Sequence, residues 1–302
     1  MSDLAAAVRS LRYAGLDAVR EFVSRTYYAV GSRTDPDPVL DADWDLLVVL
    51  DACRADVFAD VVGDGDYSFD VGDTATSPAS TSTEWLESVF GAATDDELAD
   101  VAYVTGNPYT TRTIDTDRFG YVDEVWKHAW DDDTGTIPPR PLTDAAIRAG
   151  READTERLVV HYMQPHFPTV FGDDDGIALD DWGDQPMSVW EELRFGKRSE
   201  ADVWADYERN LEAVLEDVEL LLSNVDADTA VLTADHGNAF GEHHIYGHPG
   251  GVDIPALREV PWCVTSATDE QTRDPGDGAA PATDETDADV VDERLESLGY
   301  KT

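Results

Sequence analysis

The chain has 302 residues, of which 42% are hydrophobic and eight are Trp, a composition typical of a globular protein. Its length suits one large α/β domain or two small ones. Its 65 acidic and 21 basic side chains give a net charge of -44, and so negative a surface repels nucleic acid and anionic lipid. We therefore exclude a nucleic-acid-binding function.

The acidic composition also predicts the conditions that suit the protein. Asp far outnumbers Glu and Arg is much commoner than Lys, a balance that resembles the proteins of extreme halophiles. We expect a self-repulsion that is screened only in concentrated salt.

The cysteines and the apolar runs predict the compartment. Cys53 and Cys263 lie in apolar stretches and are too few for a disulfide framework, which indicates a reducing environment. No run of about 18 apolar residues occurs, and the chain does not open with a signal-peptide pattern. We expect a soluble, cytoplasmic protein.

Residues 3–29 have the apolar periodicity of an amphipathic helix, although Gly15 interrupts it. Arginine outnumbers the acidic residues here, and a basic amphipathic helix can lie on a membrane surface. In so acidic a chain the helix can instead dock on the protein's own negative body, which is the outcome we expect. A Pro- and Asp-rich linker follows, so residues 1–34 form a helix-and-linker unit. The apolar positions that share roughly one face are Leu4, Val8, Leu11, Val19, Val23 and Tyr27.

Residues 44–50, WDLLVVL, predict a buried strand that delivers Asp51 at its tip and Arg54 three residues later. Ligand sites of α/β sheets lie at the carboxyl ends of strands. Asp51 is therefore a candidate ligand rather than half of a surface ion pair. Cys53 is predicted to be a small apolar filler, since no neighbouring His is available to activate it.

Four hydroxyl residues, Ser80, Thr81, Ser82 and Thr83, lead into a helix that is predicted to begin near Thr83. Each of them can cap that helix. One of them can also act as a nucleophile on a phosphorus or sulfur centre, with the positive end of the helix stabilising the anion. The residue types alone leave both roles open.

The middle of the chain supplies a second strand tip. A strand at 101–104 and a helix at 142–153 precede a strand at 158–162, which carries His161 and leads to His166. The acidic, aperiodic residues 172–185 predict a loop or lid. Residues 200–224 then predict a long amphipathic helix that packs against the core.

Four of the seven His lie between residues 229 and 248. The apolar run at 230–232 predicts a buried strand, and Asp235 and His236 follow it directly. Clustering of imidazoles and carboxylates at strand ends favours a metal site over isolated surface imidazoles. After a last strand near 261–264, residues 266–287 predict a loosely held linker and residues 290–300 a terminal helix that docks back.

Three stretches, LLVVLDACRAD, HYMQPHFP and TADHGNAFGEH with the following GHPGG and REVPW, stand in the order found in the alkaline phosphatase superfamily. The chain resembles its sulfatase-like branch over roughly residues 44–265. The resemblance implies an α/β three-layer sandwich with a central mixed, mostly parallel sheet flanked by helices. It places the catalytic domain at 35–265 and an acidic linker with a C-terminal helix at 266–302.

The resemblance also implies roles for particular residues. Asp51 matches the metal carboxylate of the first strand, and Asp235 with His236 matches the later metal pair. His248 matches a further ligand position downstream. His166 matches a position that binds substrate or a second metal.

The nucleophile segment departs from the sulfatase pattern. Sulfatases carry Cys-x-Pro-x-Arg, whose Cys becomes formylglycine, whereas SPASTSTEW contains no Cys. Counting back from Gly91 puts Thr81 in the nucleophile position, and alignment on Glu84 favours Ser80. Arg54 is expected to stabilise the nucleophile region or the transferred anion.

Together, these expectations predict a metal-dependent hydrolase or transferase that uses a Ser or Thr nucleophile. Mixed nitrogen and oxygen ligands favour zinc or manganese over calcium. The substrate is a small-molecule, glycan-linked or lipid-linked phosphate or sulfate ester. A catalytically silent metal-binding or scaffold protein is the alternative, and the oligomeric state is left open.

Overall fold

The computed structural model describes residues 16–31, 34–171, 188–276 and 288–298. Their largest feature is a seven-stranded sheet with the strand order β2-β9-β6-β1-β5-β3-β4. The strands are β1 (Leu46–Leu50), β2 (Asp73–Thr76), β3 (Val101–Thr105), β4 (Tyr121–Glu124), β5 (Arg157–Tyr162), β6 (Ala227–Thr233) and β9 (Glu259–Ala267), and a separate small hairpin consists of β7 (Ala239–Phe240) and β8 (Tyr246–Gly247).

Ten α-helices connect these strands within the described residues. They are α1 (Leu16–Val30), α2 (Ala55–Asp64), α3 (Ser82–Leu86), α4 (Asp95–Ala99), α5 (Thr110–Thr113), α6 (Pro139–Glu152), α7 (Val189–Arg194), α8 (Glu200–Leu222), α9 (Pro255–Arg258) and α10 (Ala288–Ser297). A π-helical turn, Glu87–Gly91, extends α3, and short 3-10 turns lie at Thr116–Arg118, Val125–Lys127 and Glu242–His244. No helix in this part of the chain is long and apolar enough to cross a membrane.

The sheet is mixed but mostly parallel. The neighbours β6, β1, β5, β3 and β4 run parallel, whereas β9 is antiparallel to both β6 and β2. The three central strands β6, β1 and β5 therefore end at the same edge. This arrangement confirms the predicted sheet.

Helices cover both faces of the sheet, because β1 alternates its apolar side chains between two cores. Leu46, Val48 and Leu50 join the core beneath α2, α6 and α8. Leu47 and Val49 join the opposite core, which includes Trp85 and the π-helical turn. A strand buried on both faces needs a continuous apolar sequence, which is why β1 could be predicted.

The ends of the chain differ in part from the predictions. Of the expected helix at 3–29, the second half lies in the described range as α1, and residues 1–15 lie outside it, as does the predicted loop or lid at 172–185. Polar contacts hold residues 268–274, which were expected to be loosely held: Asp269 pairs with Arg151 at 2.7 Å and Arg273 with Asp144 at 2.7 Å. The terminal helix α10 does pack on the body, because Val291, Leu295 and Leu298 are buried.

Candidate metal centre

Three neighbouring strands bring their polar residues to one edge of the sheet. Val49 of β1 stands opposite His161 of β5 on one side and Thr233 of β6 on the other. Asp51 follows β1 by one residue and Asp235 follows β6 by two residues. Asp51, His161 and Asp235 therefore meet at the strand ends, where their ligand atoms lie within 4.8 Å of one another.

Each of these three side chains has a buried polar atom without a hydrogen-bond partner among the described residues. The atoms are Asp51 Oδ1, Asp235 Oδ2 and His161 Nε2. All three residues are 0% exposed, and an unsatisfied buried carboxylate oxygen costs more than a neutral polar atom. Three such atoms in one place are the arrangement expected for a cation site.

His236 completes this cluster with a nitrogen that is free to bind a metal. Its Nδ1 lies 2.8 Å from the carbonyl oxygen of Gly237, which can only accept, so Nδ1 carries the proton. In the neutral ring Nε2 then carries a lone pair. This nitrogen lies 3.5 Å from Asp235 Oδ2 and 3.8 Å from Asp51 Oδ1. Two ligands of one tetrahedral zinc ion lie roughly 3.3 Å apart, so small side-chain shifts suffice to hold an ion.

The two carboxylates place like charges together in the interior. Burial, together with the charge of Asp235, raises the pKa of Asp51 well above its ordinary value. Burial acts to raise the pKa of Asp235 as well, but the imidazoles of His236 and His161 outweigh it, so its pKa falls. Only one of the two carboxyls is thus readily ionised by itself, and a cation between them would allow both to be.

The ring of His161 is also oriented so that one nitrogen faces the two carboxylates. Burial lowers its pKa to about 4, so the ring is neutral at pH 7. Its Nδ1 lies 3.0 Å from the hydroxyl of Tyr103, and its Nε2 lies 3.8 Å from Asp235 Oδ2. A proton on Nδ1 leaves the Nε2 lone pair facing the carboxylate cluster.

The hydroxyl that lies in this cluster belongs to Ser82, the first residue of α3. It donates to Asp51 Oδ2 at 3.3 Å and lies 3.4 Å from His236 Nε2. The amide of Asn107 also donates to Asp51 Oδ2, at 3.0 Å. Ser82 and Asn107 are both 1% exposed, so the hydroxyl is held inside the protein.

Ser80 and Thr81, the two hydroxyls expected from the sequence, have other roles in the structure. Thr81 is the N-cap of α3 and accepts from the backbone N–H of Glu84. The hydroxyl of Ser80 bonds Glu84 Oε2 at 3.1 Å and the carbonyl oxygen of Pro249 at 3.0 Å. The first helical position turns Ser82 toward the tip of β1, whereas the cap position turns Thr81 toward the helix backbone.

His166 and His248 form a hydrogen-bonded pair beside the cluster. His166 Nδ1 donates to the carbonyl oxygen of Phe167, so its Nε2 accepts, and His248 Nε2 donates to it at 2.9 Å. The ring of His248 also stacks on His236 with centroids 4.6 Å apart. The pair thus holds one proton between its facing nitrogens at the edge of the metal-capable cluster.

Arg54, expected to act on the nucleophile or the anion, is a clamp in the structure. Its guanidinium bonds both oxygens of Asp56, at 2.9 and 2.7 Å, and Glu242 at 2.5 Å. It also donates to the carbonyl oxygen of Asn238 and lies over the ring of Trp204. These contacts tie the end of β1 to the loop that follows Asp235, and they use four of the five N–H donors of the guanidinium.

The backbone around the cluster is closely packed at Gly237. A Cβ at this position would lie 2.3 Å from the carbonyl oxygen of Ala256, so only glycine fits without a shift. In the turn after β1, Ala52 has a φ of 61°, and its N–H donates to Asp235 Oδ1. Both features fix the direction in which Asp51 and His236 leave their strands.

Three members of the site were not selected from the sequence: Ser82, His161 and Asn107. Ser82 was one of four hydroxyls in a row, and His161 stood inside an apolar strand where a core role is expected. Asn107 lay in a Thr-rich loop whose path the sequence does not specify. The signal that could have found His161 is the parallel register, which brings it beside Asp51.

No protein-family model and no curated protein matches the sequence. The structure is similar to the integral membrane protein lipooligosaccharide phosphoethanolamine transferase A of Neisseria meningitidis, with a TM-score of 0.51 and 12% identity over 85% of this chain. This chain spans 55% of the length of that protein.

Two further solved structures are similar at lower scores. The C-terminal periplasmic domain of a phosphoethanolamine transferase from Campylobacter jejuni has a TM-score of 0.47 and 17% identity over 73% of this chain and 78% of that one. A 2-O GAG sulfatase has a TM-score of 0.45 and 12% identity over 89% of this chain and 72% of that one. At such identities the likeness of the first structure shows the fold alone, and it confirms the alkaline-phosphatase-like α/β fold.

Proposed function

We propose that this chain is a divalent-metal-dependent enzyme that cleaves or transfers a phosphate ester, with Ser82 as its nucleophile. The observation that carries the proposal is the convergence of three unpartnered ligand atoms on one buried point, with a hydroxyl 3.3 Å from one of the carboxylates. The fold supports it, because the similar structure from Neisseria meningitidis is named a phosphoethanolamine transferase.

Asp51, Asp235 and His236 would hold the ion, with His161 as a further ligand. Two carboxylates and one or two imidazoles suit zinc or manganese, whereas calcium prefers oxygen ligands alone. When bound, such an ion lowers the pKa of a neighbouring hydroxyl and neutralises negative charge on a phosphate. His248, which the resemblance matched to a ligand position, is assigned to the leaving group instead because it bonds His166.

Ser82 is proposed in place of Ser80 and Thr81 because its oxygen lies against the cluster. Its proton has an acceptor in Asp51 Oδ2, the oxygen to which it already donates. Asn107 donates to the same oxygen and keeps the carboxylate oriented toward the serine. Attack by Oγ on phosphorus forms a phosphoserine, and water or an acceptor hydroxyl then takes the phosphoryl group.

His166 and His248 are proposed to serve the leaving oxygen. The carbonyl of Phe167 fixes the tautomer of His166, and this leaves His248 as the donor of the pair. Because His248 stacks on His236, its Nε2–H lies beside the cluster and can donate a hydrogen bond to the departing oxygen, which then takes its proton from water.

Phosphate is favoured over sulfate on chemical grounds. A formylglycine sulfatase releases sulfate through its hydrated aldehyde, whereas a serine ester must be attacked a second time. A phosphoserine suits that second attack better than a sulfated serine when a metal neutralises the oxyanion. The substrate class remains a small-molecule, glycan-linked or lipid-linked ester, with hydrolysis and transfer both included.

The test compares hydrolysis of aryl phosphate mono- and diesters with that of aryl sulfates, in molar KCl with zinc or manganese. We expect faster cleavage of a phosphate ester. Ser82→Ala should lower turnover by about 1,000-fold or more while metal content and melting temperature stay near those of the wild type.

Ser80→Ala and Thr81→Val are the matched controls, because they remove neighbouring hydroxyls, of which Thr81 caps α3 and Ser80 bonds Glu84 and Pro249. They should keep turnover within about tenfold, since a lost cap costs stability rather than chemistry. Full activity of Ser82→Ala, or a preference for the sulfate, would overturn the nucleophile or the substrate assignment. A metal-binding chain that turns over neither ester would instead support the silent alternative.

A further inference from the structure

The helix α1 leaves a row of large apolar side chains exposed. Phe22 and Tyr27 are each 71% exposed, Val30 is 81% exposed and Val23 is 59% exposed. With Val19 they occupy an arc of about 140° on the helix, at 100° per residue. A row of this kind on a single helix is what an interfacial helix presents to a bilayer.

The opposite side of α1 is attached to the protein. Buried Glu21 pairs with Arg194 at 2.6 Å, and the hydroxyl of Tyr28 lies 3.1 Å from His243 Nδ1. The carbonyl oxygen of Tyr28 also accepts from the N–H of Asp253. The helix therefore docks on the body, as expected from the sequence, and its exposed face is held in a defined orientation.

The charge of this part of the chain is opposite to that of the rest. The first 33 residues contain 5 of the 21 basic and 3 of the 65 acidic side chains, a net charge of +2, whereas the remaining residues carry -46. By helical phase Arg20 and Arg25 flank the two margins of the apolar row. Arginine stems at the margins of an apolar face can lie along a lipid surface while their guanidinium groups contact headgroups.

We propose that α1 attaches the protein to a lipid bilayer surface through Val19, Phe22, Val23, Tyr27 and Val30. Charge favours this orientation, because anionic headgroups repel the acidic body, whereas residues 1–33 carry a net charge of +2 and α1 exposes an apolar face. In molar salt the Debye length is about 3 Å, so repulsion of the body is screened and apolar insertion remains.

Attachment through α1 would also bring the candidate metal centre close to the headgroups. Tyr28 contacts His243, which lies in the turn before β8, and His248 directly follows β8. This inference goes beyond the proposed reaction and does not depend on it, because vesicle binding is measured without turnover.

The test is flotation of the full chain with vesicles of phosphatidylglycerol, or of phosphatidylcholine, in 2 M KCl. We expect the wild type to float with both. The triple variant F22Q/V23Q/Y27Q should lose at least about tenfold in its partition coefficient, since Gln favours the helix but removes the apolar surface.

V264Q is the matched control, because Val264 is 59% exposed, the same fraction as Val23, but lies on β9. It should float as the wild type does. Failure of the wild type to float, or equal flotation of the triple variant, would overturn the proposal. So would a wild-type dimer that the triple variant loses, or a clear fall in its melting temperature, because either would mean that protein covers this face.

Discussion

Two charged clusters lie at the end of β1, one buried and one partly exposed, and their charges are balanced differently. The Arg54 cluster contains its own cation, a guanidinium between Asp56 and Glu242. The Asp51 cluster contains two carboxylates and His161, which burial keeps neutral by lowering its pKa to about 4. The first cluster has its own permanent cation, whereas the two carboxylates of the second pair with imidazoles and with no Lys or Arg among the described residues. The difference separates a structural ion-pair cluster from a candidate cation site.

Asp51→Asn is the variant that we expect to show the difference between the two clusters most clearly. Zinc at about 100 times its Kd stabilises a folded protein by about 2.7 kcal/mol, which corresponds to roughly 4 °C in the melting temperature of a 302-residue chain. The variant should lose that shift, because Asn is a neutral and weaker ligand. Its metal-free form should melt at or above the wild type, since the raised pKa of Asp51 already favours a neutral side chain there.

Calorimetry with and without zinc measures both the zinc-induced shift and the melting temperature of the metal-free variant. A full zinc-induced shift in Asp51→Asn would contradict the metal assignment. A metal-free variant that melts several degrees lower would mean that the carboxylate is structural, like those of the Arg54 cluster.

The converse change is Arg54→Gln, which removes the cation from the cluster that has one. We expect a loss of about 1 to 3 kcal/mol, with or without zinc, because several charge-assisted hydrogen bonds disappear. The loss should stay below that of a fully buried pair, since the side chains of Asp56 and Glu242 are 55% and 36% exposed and water can solvate them.

Arg112→Gln is the control for Arg54→Gln, because Arg112 pairs with Asp292 at 2.7 Å on the surface. Urea unfolding should show a change below about 1 kcal/mol for this variant. Equal losses in the two variants would argue against a special role for Arg54 as a clamp.

The smallest expected effect concerns the partner of His161. Tyr103→Phe removes the hydroxyl that contacts His161 Nδ1, and we expect zinc affinity to fall about tenfold, because a residue that orients a metal ligand is lost. Tyr162→Phe is the matched control, because Tyr162 is also 0% exposed and its hydroxyl bonds Thr143 instead. Titration calorimetry that shows equal affinities in both variants would remove His161 from the ligand set.

The positions of Asp51 and Asp235 at the ends of two strands could be predicted from the sequence, because β1 and β6 are buried on both faces. Such strands have continuous apolar runs, and the polar residues that end them, Asp51 and Asp235, are easily recognised. The edge strands β2 and β4 were missed, since DTAT and YVDE are polar and partly exposed.

The hydroxyl side of the centre was not predictable in the same way. Ser80, Thr81 and Ser82 are chemically alike, and the choice among them depends on which one becomes the N-cap of α3. The composition of residues 268–274 also predicted a loosely held linker, which was wrong. This segment has little to bury, but Asp269 and Arg273 attach it to the body through ion pairs. Contacts made through the tertiary structure decide both cases.

Diffraction from zinc-soaked crystals, measured at the zinc absorption edge, tests the central claim most directly. We predict one anomalous peak within bonding distance of Asp51 Oδ1, Asp235 Oδ2 and His236 Nε2, with His161 Nε2 facing it and Ser82 Oγ beside it. A peak only between His166 and His248, or no peak at the ends of β1 and β6, would contradict the account.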